Sequence, residues 1–345
     1  MSATQQQPAL SPERIVKMMW AFAPPLLIDA AVENRLFDVL DQNPLAPEQL
    51  SAATGASQRG IVALADALVG FEFLSKDQQG RYHLTPESAA FLVHGKPAFQ
   101  GGIFHHVKSD LLSTWLQVSD AVRSGRPVVA ANDQEQGAAF FEQFVEALFP
   151  MAYPAAKALA ADLKVGEAKE QTRVLDVGAG SGVWGIALAQ ASPLVQVTAV
   201  DWERVLGTTK RMVARLKLED RFKFVPGDLL EADFGSNYAV ATVGHILHSE
   251  GVERSKALLR RIHDALRPGG TIAIAEFLVN AERTGPPQGL IFAVNMLVHT
   301  DQGGTYSFEE ISDWLRDSGF KNMRLLDAPG PSPLILADKA GSGSV

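Results

Sequence analysis

The sequence predicts an α/β protein in which a doubly wound, mostly parallel sheet follows a smaller, mainly α winged-helix domain. From residue 172 onward, short apolar runs alternate with segments of helical periodicity, which is the pattern of strands joined by crossover helices. A glycine-rich turn joins the first of these runs to a helix. We expect a winged-helix domain over residues 11–100, connecting helices over 101–165 and the sheet domain over 166–340.

Composition and charge exclude several classes of function. The 345 residues are 46% hydrophobic, which is enough for a sizeable core. A net charge of −8 disfavours nucleic acid or an anionic membrane as a partner. The absence of cysteine excludes disulfides, thiolate metal sites and a cysteine nucleophile. The first ten residues are polar and no uninterrupted apolar run reaches 18 residues, so we expect a cytoplasmic protein.

The elements of the N-terminal domain are predicted from helix starts and apolar spacing. Ser11, followed by proline, is a typical N-terminal cap, and apolar residues recur at helical spacing over residues 26–40. Two further helices are expected over residues 47–55 and 58–71, and a hairpin follows around residues 77–80. Helix, turn, helix and hairpin is the order of a winged helix.

The charges of this domain favour an interface with protein rather than with DNA. Residues 1–100 carry ten acidic and seven basic residues, and the predicted recognition helix carries Arg59 beside Asp66. A helix that binds in a DNA groove needs several phosphate and base contacts from lysine and arginine. We therefore expect an apolar dimerisation module. A winged-helix regulator that senses a ligand remains the alternative from another class.

The connecting segment contains two features that resemble site residues. His105 and His106 are adjacent and cannot share one helix face, so we expect surface or hinge residues there rather than a metal site. A stripe of aromatic residues and methionine follows on a predicted helix over residues 138–163: Phe140, Phe141, Phe144, Phe149, Met151 and Tyr153. Such a stripe is either core or pocket lining. As pocket lining, Met151 and Tyr153 are the candidates for substrate contact.

The central motif begins at Val174 and ends at Gly185. Its apolar start, residues 174–177, suits a strand that is buried on both faces. Three glycines then remove the Cβ atoms that would keep a ligand from the backbone: Gly178, Gly180 and Gly182. The helix after the turn directs its amide groups and positive dipole end toward that ligand. The second strand ends at Asp201, whose carboxylate can accept both hydroxyls of a ribose.

Two nucleotide-binding interpretations compete for this turn. Residues 180–185 fit G-x-G-x-x-G, which by itself is weak support for an NAD-dependent oxidoreductase. When the pattern is counted from Gly178, the glycine that directly follows the strand, the third position falls on Val183 and the dinucleotide fit fails. What remains is Asp176 followed by alternate glycines, in which the acid would attract a cationic amino-acid group. The alternative is a purely structural turn, whose glycines only let a helix pack closely on a sheet.

Alternating strands and helices complete the predicted doubly wound sheet. The predicted strands are Thr172–Val177, Gln196–Val200, Phe222–Val225, Tyr238–Val243, Thr271–Phe277 and a final pair within Met323–Ala337. The predicted helices lie near Val183–Ala191, Val205–Leu216, Glu253–Leu266 and Phe308–Ser318. Ligands on such sheets bind at the carboxyl ends of the strands, where the site residues named below are expected.

Further ligand contacts are expected at the ends of the second and third strands. Asp228, which precedes Leu229, ends the third strand and can accept a hydrogen bond from an adenine amino group. Trp202 follows Asp201 and can stack on the adenine. A turn or helix-cap aspartate is the alternative role for Asp228.

These motifs together resemble those of methyltransferases. Asp176 and the glycine turn resemble motif I of the class I S-adenosylmethionine-dependent methyltransferases, whose sheet is Rossmann-like. The later strings are similar to those of the small-molecule O-methyltransferases, a family of plant phenolic, animal hydroxyindole and bacterial natural-product enzymes. These strings are Gly244-His-Ile-Leu-His248, Leu266-Arg-Pro-Gly-Gly270, Ile272-Ala-Ile-Ala-Glu276, Asn295–His299 and Phe308–Phe320. The winged-helix domain is similar to that family's dimerisation domain, so the resemblance covers about residues 14–338.

The resemblance implies transfer of a methyl group from S-adenosylmethionine to a hydroxyl of a small, partly apolar, aromatic metabolite. His248 falls on the family's catalytic position, and a histidine can take the proton of that hydroxyl near neutral pH. Glu276 would hold the other ring nitrogen and fix the tautomer. The family's equivalent helix makes Asn295, Met296 and His299 substrate candidates, with ordinary helix packing as the alternative. A homodimer through the N-terminal domain is also implied.

The chain departs from the family pattern at three places. Ser249–Glu250 stands where the family usually has Asp-Trp, Gly244 where the plant enzymes have lysine, and Thr305–Ser307 where the family has Glu-Arg-Thr. With one orienting carboxylate lost, His248 either is a weaker base or only positions the substrate. C- or N-methylation, or retention of the cofactor without methyl transfer, are the alternatives on the same scaffold. We expect His245 to pack at the strand end, with a cofactor contact as the second possibility.

Overall fold

The computed structural model describes residues 10–129 and 134–341, and their side chains except those of 134–143. The polar N-terminal stretch lies almost wholly outside the described residues. The chain divides into two compact units, Met1–Leu111 and Leu112–Val345. The three domain ranges given above remain predictions.

The N-terminal unit consists of short helices and one hairpin. Its helices are α1 (Glu13–Met18), α2 (Ala23–Glu33), α3 (Leu36–Gln42), α4 (Pro47–Thr54), α5 (Gln58–Gly70), α6 (Pro86–Phe91) and α7 (Gly102–His106), and a π-helical turn follows at Val107–Leu111. Strands β1 (Leu74–Lys76) and β2 (Tyr82–Leu84) pair antiparallel after α5. This order of helices and hairpin confirms the predicted winged-helix layout.

The single helix predicted over residues 26–40 is wrong, because the chain breaks between α2 and α3. The break lies at Asn34 and Arg35, and Arg35 adopts the left-handed region with a φ of 57°. Apolar spacing continues across the break because both helices face the same core. The core residues on either side are Ile28, Ala31, Leu36, Phe37 and Leu40.

Helix α5, which a DNA-binding winged helix would use for recognition, is tied to the hairpin. The Ser57 hydroxyl caps its start by accepting a hydrogen bond from the Gly60 amide at 3.2 Å. Its carboxylate at Asp66 accepts hydrogen bonds from the Tyr82 hydroxyl at 2.7 Å and from the Lys76 ammonium at 3.0 Å. Asp66 of this helix therefore serves packing within the unit.

The first part of the predicted connecting segment consists of several short helical pieces. Helix α7 passes into the π-helical turn, and α8 (Leu112–Trp115) and α9 (Val118–Ser124) follow. His105 is exposed as expected, but the surface interpretation is wrong for His106, which is buried with Nδ1 2.9 Å from an oxygen of Asp110.

An ionic cluster surrounds the buried carboxylate of Asp29. Ligand atoms of Asp29, Glu33 and His105 lie within 4.8 Å of one another, a spacing that suits a metal ion. A side-chain cation already lies among the carboxylates, because Nζ of Lys108 is 2.6 Å from Glu33 and 3.1 Å from Asp29. These contacts hold the pKa of Lys108 above its ordinary value. The cluster is therefore an internal ion network of the unit.

Among the described helices, one segment, Glu13–Glu33, is long and apolar enough to cross a membrane by length and composition. It spans the break between α1 and α2 and includes charged side chains at both ends. A single segment of this kind near the N-terminus is weak support for a membrane span.

A seven-stranded sheet forms the centre of the C-terminal unit. Its strands are β3 (Thr172–Val177), β4 (Val195–Asp201), β5 (Phe222–Pro226), β6 (Tyr238–Gly244), β7 (Leu266–Ala275), β8 (Phe320–Leu326) and β9 (Leu334–Lys339). Their order across the sheet is β5-β4-β3-β6-β7-β9-β8. The five strands from β5 to β7 are parallel, and β9 is antiparallel to β7 and β8. The predicted doubly wound, mostly parallel sheet is confirmed.

Helices cover the sheet and connect its strands. They are α10 (Gln134–Asp162), α11 (Val183–Ala191), α12 (Glu203–Arg215), α13 (Leu247–Ala265), α14 (Pro287–His299) and α15 (Phe308–Asp317). Helix α13 starts earlier than the prediction at Glu253, because it includes a kinked first turn around Gly251.

The strand order places a ligand crevice beside β3. Its neighbours are β4 on one side and β6 on the other, so the connections leave β3 in opposite directions. Such a switch point opens a crevice at the carboxyl ends of the strands. The central strand itself is solid core, with Val174, Leu175 and Val177 fully buried.

Candidate active site

The glycine turn after β3 has a backbone that few other residues adopt. Gly178, Gly180 and Gly182 have φ values of 63°, 55° and 76°. Two of them also lack room for a side chain. A Cβ atom on Gly178 would lie 2.5 Å from Cγ1 of Ile246, and one on Gly182 would lie 2.7 Å from Cγ2 of Thr209. The glycines therefore meet two separate requirements, the turn conformation and close packing.

Asp201 is held against this turn at the end of β4. Its Oδ2 accepts a hydrogen bond from the Gly180 amide at 2.8 Å, and its Oδ1 accepts one from the Trp202 amide at 2.7 Å. Burial raises the pKa of Asp201 to about 6, although both amide contacts act in the opposite direction. Each carboxylate oxygen has a second lone pair, which leaves capacity for the two hydroxyls of a ribose.

Asp176 lies beneath the turn and is fully buried. Its Oδ1 accepts a hydrogen bond from the Thr242 hydroxyl at 2.7 Å, and its Oδ2 accepts one from the Gly185 amide at 3.0 Å. Burial raises the pKa of Asp176 to about 7. Because protein groups engage both oxygens, Asp176 anchors the first turn of α11 to β3 and β6.

The predicted adenine contacts gather around the end of β5. Oδ1 of Asp228 accepts a hydrogen bond from the Leu230 amide at 2.8 Å, which makes it a turn aspartate. Its Oδ2 accepts a hydrogen bond from Arg254 at 2.9 Å. Leu229 is buried and Trp202 is half-buried at the start of α12. The sequence prediction missed Arg254, whose position on α13 carried no local signal.

The end of β7 and the start of α13 bring His248 and Glu276 together. Nδ1 of His248 lies 2.8 Å from Oε2 of Glu276, and the His248 amide donates to Oε1 at 3.2 Å. Both side chains are buried, with 12% and 3% of their surfaces exposed. The Gly304 amide also donates to the His248 carbonyl at 2.8 Å, so the backbone of the histidine is fixed on both sides.

This contact determines the chemistry of the imidazole. Burial alone would raise the pKa of Glu276, but the adjacent His248 holds that pKa below its ordinary value, so the carboxylate is charged. A carboxylate only accepts hydrogen bonds, so Nδ1 of His248 keeps its proton and donates it to Glu276, which leaves Nε2 as the basic nitrogen. This is the arrangement that a general base with an orienting carboxylate requires.

Two phenylalanines that the sequence prediction missed surround this pair. The ring of Phe292, on α14, meets the His248 ring edge-on with centroids 4.9 Å apart. The Phe277 ring lies 4.2 Å from Phe292 and 6.2 Å from His248. Phe277 also lines a neighbouring cavity of about 480 Å³, whose other lining residues are both apolar, such as Phe308, and polar, such as Gln288 and Glu309. The surroundings of the base are therefore aromatic.

The substrate candidates on α14 are bonded to helix α8. Oδ1 of Asn295 accepts a hydrogen bond from the Trp115 indole at 2.9 Å. His299 donates from Nδ1 to the Asn295 carbonyl at 2.9 Å, and its Nε2 accepts from the Thr114 hydroxyl at 2.8 Å. Burial lowers the pKa of His299, in agreement with this neutral tautomer. Met296 is buried, and these contacts favour packing, the alternative role, for His299 and Met296.

Helix α10 carries the other two substrate candidates. The Tyr153 hydroxyl donates to Gln190 of α11 at 2.6 Å, and its ring stacks on Phe149 with centroids 5.3 Å apart. Met151 is half-buried. These contacts support the core interpretation for Tyr153. The side chains of Phe140 and Phe141 lie outside the described residues.

The departures from the family pattern have structural counterparts. At Gly244 a Cβ atom would overlap Nε1 of Trp184 and lie 2.7 Å from its Cδ1, so the indole fills the space of a side chain there. The Glu250 carboxylate accepts from Arg254 at 2.6 Å. At Thr305, the buried hydroxyl has no hydrogen-bond partner among the described residues. Its neighbour Tyr306 is buried, which raises the pKa of that phenol to about 12.

Comparison with known proteins agrees with this geometry. A family model described as the O-methyltransferase domain matches residues 115–321, and one described as the O-methyltransferase dimerisation domain matches residues 16–94. The chain belongs to the O-methyltransferase family. Members of this family use S-adenosylmethionine, and the chain is accordingly an S-adenosylmethionine-dependent O-methyltransferase.

Individual relatives span nearly the whole chain. The tetracenomycin polyketide synthesis 8-O-methyl transferase TcmO of Streptomyces glaucescens is 28% identical over 336 residues, which cover 95% of this chain and 97% of that protein. The 3-hydroxy-5-methyl-1-naphthoate 3-O-methyltransferase of Streptomyces sahachiroi is 29% identical over 321 residues, 91% of each chain. The solved structure of PigF with SAH, a Serratia protein, has a TM-score of 0.80 at 26% identity and covers 96% of this chain and 100% of its own. These comparisons establish that the chain has a methyltransferase domain that uses S-adenosylmethionine.

Proposed function

We propose that this O-methyltransferase methylates a hydroxyl of a small, partly apolar, aromatic metabolite of secondary metabolism, with His248 as the general base. The observation that carries the proposal is the buried contact between His248 and Glu276 beside an aromatic wall. An imidazole whose Nδ1 donates to a carboxylate presents Nε2 as its basic nitrogen, and such a nitrogen is suited to remove a phenolic proton. The phenyl rings of Phe277 and Phe292 favour an aromatic acceptor.

The residues at the carboxyl ends of β3, β4 and β5 fit S-adenosylmethionine. The glycine turn lies at the carboxyl end of β3 with its Gly180 amide against Asp201, and Asp201 has lone pairs for ribose hydroxyls. In our proposal Asp228, Leu229 and Trp202 hold the adenine, and Asp176 acts indirectly by anchoring the turn. When bound, the cofactor supplies an electrophilic methyl group on a sulfonium.

The chain's own residues then have separate roles in the reaction. His248 takes the hydroxyl proton at Nε2, and Glu276 stabilises the imidazolium that forms. The aromatic wall excludes water and orients the acceptor ring, so that positioning contributes a large share of the rate. The relatives named for a polyketide and a naphthoate support an aromatic acceptor.

Calorimetric titration tests the cofactor assignment first. S-adenosylhomocysteine should bind with micromolar affinity, Asp201→Ala should abolish this binding, and NAD should not bind. A screen of phenolic acceptors with S-adenosylmethionine then follows, in which mass and the position of the new methyl group separate O- from C- or N-methylation. Methyl groups found only on carbon or nitrogen would refute the hydroxyl acceptor.

We further propose a cytoplasmic homodimer formed through the N-terminal unit. Large apolar side chains that are more than half exposed cluster on and just after α1: Ile15, Met18, Met19, Trp20 and Phe22. An apolar patch of this kind in a domain that matches a dimerisation family is suited to contact a second copy. A monomeric mass in solution at micromolar concentration would refute the dimer.

A further inference from the structure

We propose that His245 is a second acceptor-binding residue, whose imidazole hydrogen-bonds an oxygen substituent on the same aromatic ring as the methylated hydroxyl. This inference rests on the proposed function and names the acceptor class more closely: an aromatic compound with a second hydroxyl or carbonyl oxygen next to the reacting one.

The backbone at His245 is held in an uncommon conformation. Its φ of 59° lies in the left-handed region, which few residues with a side chain adopt. Its amide donates to the Ala275 carbonyl at 2.8 Å, which fixes the residue directly after β6 and beside the end of β7. Strained residues of this kind are concentrated at functional sites. Packing at the end of β6 would need only an apolar side chain, so the polar imidazole held in this strained conformation suggests a further role.

The ring of His245 belongs to the same cluster as the base. Its centroid lies 5.0 Å from that of Phe277 and 6.3 Å from that of His248. Phe277 in turn contacts Phe292, which meets His248 edge-on. An acceptor ring that presents a hydroxyl to His248 is therefore within reach of His245.

One nitrogen of this ring is anchored and the other is not. Nε2 lies 3.0 Å from the hydroxyl of Ser332, which is buried in the connection between β8 and β9. Within the described part of the chain, Nδ1 of His245 has no hydrogen-bond partner. Ser332 thus fixes the ring orientation and leaves the second nitrogen for a ligand.

The charge of His245 separates its role from that of His248. Burial, together with the nearby His248, lowers the pKa of His245 to about 4, although Glu276 acts in the opposite direction. The ring is therefore neutral at pH 7 and is a weak base, unsuited to take a proton from the acceptor. A neutral imidazole can accept from a hydroxyl or donate to a carbonyl, depending on which way the Ser332 hydroxyl points.

Two matched probes test the proposal: 2,3-dihydroxynaphthalene and 2-naphthol, which differ by one hydroxyl. Their dissociation constants are measured by calorimetry with the enzyme saturated with S-adenosylhomocysteine. Wild type should bind the diol about five- to tenfold more tightly, the range expected for one hydrogen bond. His245→Gly, which tolerates the left-handed backbone, should bind both probes equally and keep its affinity for 2-naphthol.

The controls separate recognition from folding. His245→Asn also tolerates the left-handed region and should retain affinity for S-adenosylhomocysteine while losing most of the preference, because its shorter amide reaches less far. Ser332→Ala should reduce the preference partially by releasing the ring. With a diol as acceptor, His245→Gly should raise KM and leave the pH dependence of kcat unchanged.

Several results would overturn the inference. Equal binding of the two probes by wild type, failure of both to bind, or a preference that survives His245→Gly would each refute it. A shift in the pH dependence of kcat in the glycine variant would instead assign His245 to proton transfer. The proposed function fails separately, through loss of S-adenosylhomocysteine binding or of methyl transfer to oxygen.

Discussion

The indole of Trp184 fills the space into which a side chain at position 244 would project. Trp184 lies on the first turn of α11 and Gly244 ends β6, so the two residues are remote in sequence and adjacent in the fold. The lysine that plant relatives carry at position 244 therefore has no room here. The glycine at this position is a packing partner of the tryptophan.

Gly244→Ala should destabilise the protein. The new Cβ would overlap Nε1 of Trp184, and overpacking of a core costs about 1–3 kcal/mol of unfolding free energy. Urea unfolding measures this loss, and Trp184→Ala in the same chain should recover part of it. The matched control is Gly70→Ala, because no atom lies within 4 Å of a Cβ at Gly70. Equal stability of the two alanine variants would contradict the packing argument.

His248→Ala should lower kcat by about 10²–10⁴-fold, the usual contribution of a general base. Affinity for S-adenosylhomocysteine should change little, because in our proposal the glycine turn and Asp201, and not His248, hold the cofactor. Glu276→Gln should lower kcat as well, since an amide can no longer enforce protonation at Nδ1. Steady-state methylation and calorimetry are measured on the same preparations. Undiminished turnover in His248→Ala would refute the role as base.

The buried carboxyl of Asp176 should make stability depend on pH. Its pKa is raised from an ordinary 3.8 to about 7 in the folded chain, so the folded state binds more protons than the unfolded state between these values. The contribution of this group is therefore fully present below about pH 4 and is lost as the pH rises through about 7. Burial also raises the pKa of Asp201, so this carboxyl contributes to stability with the same dependence on pH.

Asp176→Asn removes this dependence and provides the test. Urea unfolding between pH 4.5 and 7.5 should show a smaller fall in unfolding free energy in the variant than in wild type. The Asp201→Ala variant, which leaves Asp176 in place, should keep most of the decrease in unfolding free energy over this pH range. Parallel curves for wild type and Asp176→Asn would contradict the assignment.

The apolar face around α1 should govern assembly. Trp20→Glu together with Met18→Glu places two charges on that face and should halve the mass observed by light scattering at micromolar concentration. Arg59→Glu, which changes the charge of α5 without altering an apolar surface, is the control. A double variant that keeps the mass of wild type would move the interface elsewhere.

Much of the fold and part of the site could be predicted because their signals are local. The alternation of apolar runs and helical segments from residue 172 onward predicts the parallel sheet, since buried parallel strands must be apolar on both faces. The turn needs three positive φ values within five residues, and glycine is the residue that adopts them most readily, so the glycines are visible as a local motif. His248 and Glu276 were predicted from motifs whose spacing along the chain matches a known family.

Other features were missed because they depend on side chains that meet only in three dimensions. Arg35, in the left-handed region, separates two helices that share one continuous apolar spacing. Because the residues on both sides of the break are buried in the same core, the sequence pattern gives no sign of the break. The contact of the His299 ring with the Thr114 hydroxyl on another helix had no signal in the sequence either.

By itself, the sequence determined the α/β class, the position of the glycine turn and the residue types at the ends of the strands, because each follows from periodicity or from a local backbone demand. The tertiary structure alone decided which polar groups are already engaged. It ties Asp176 to Thr242 and Asp228 to Arg254, and among the described residues it leaves Nδ1 of His245 without a partner beside His248. The physical reason is that hydrogen bonds and steric exclusion act between atoms a few ångströms apart, whereas partners such as Thr114 and His299 lie 185 positions apart in the chain.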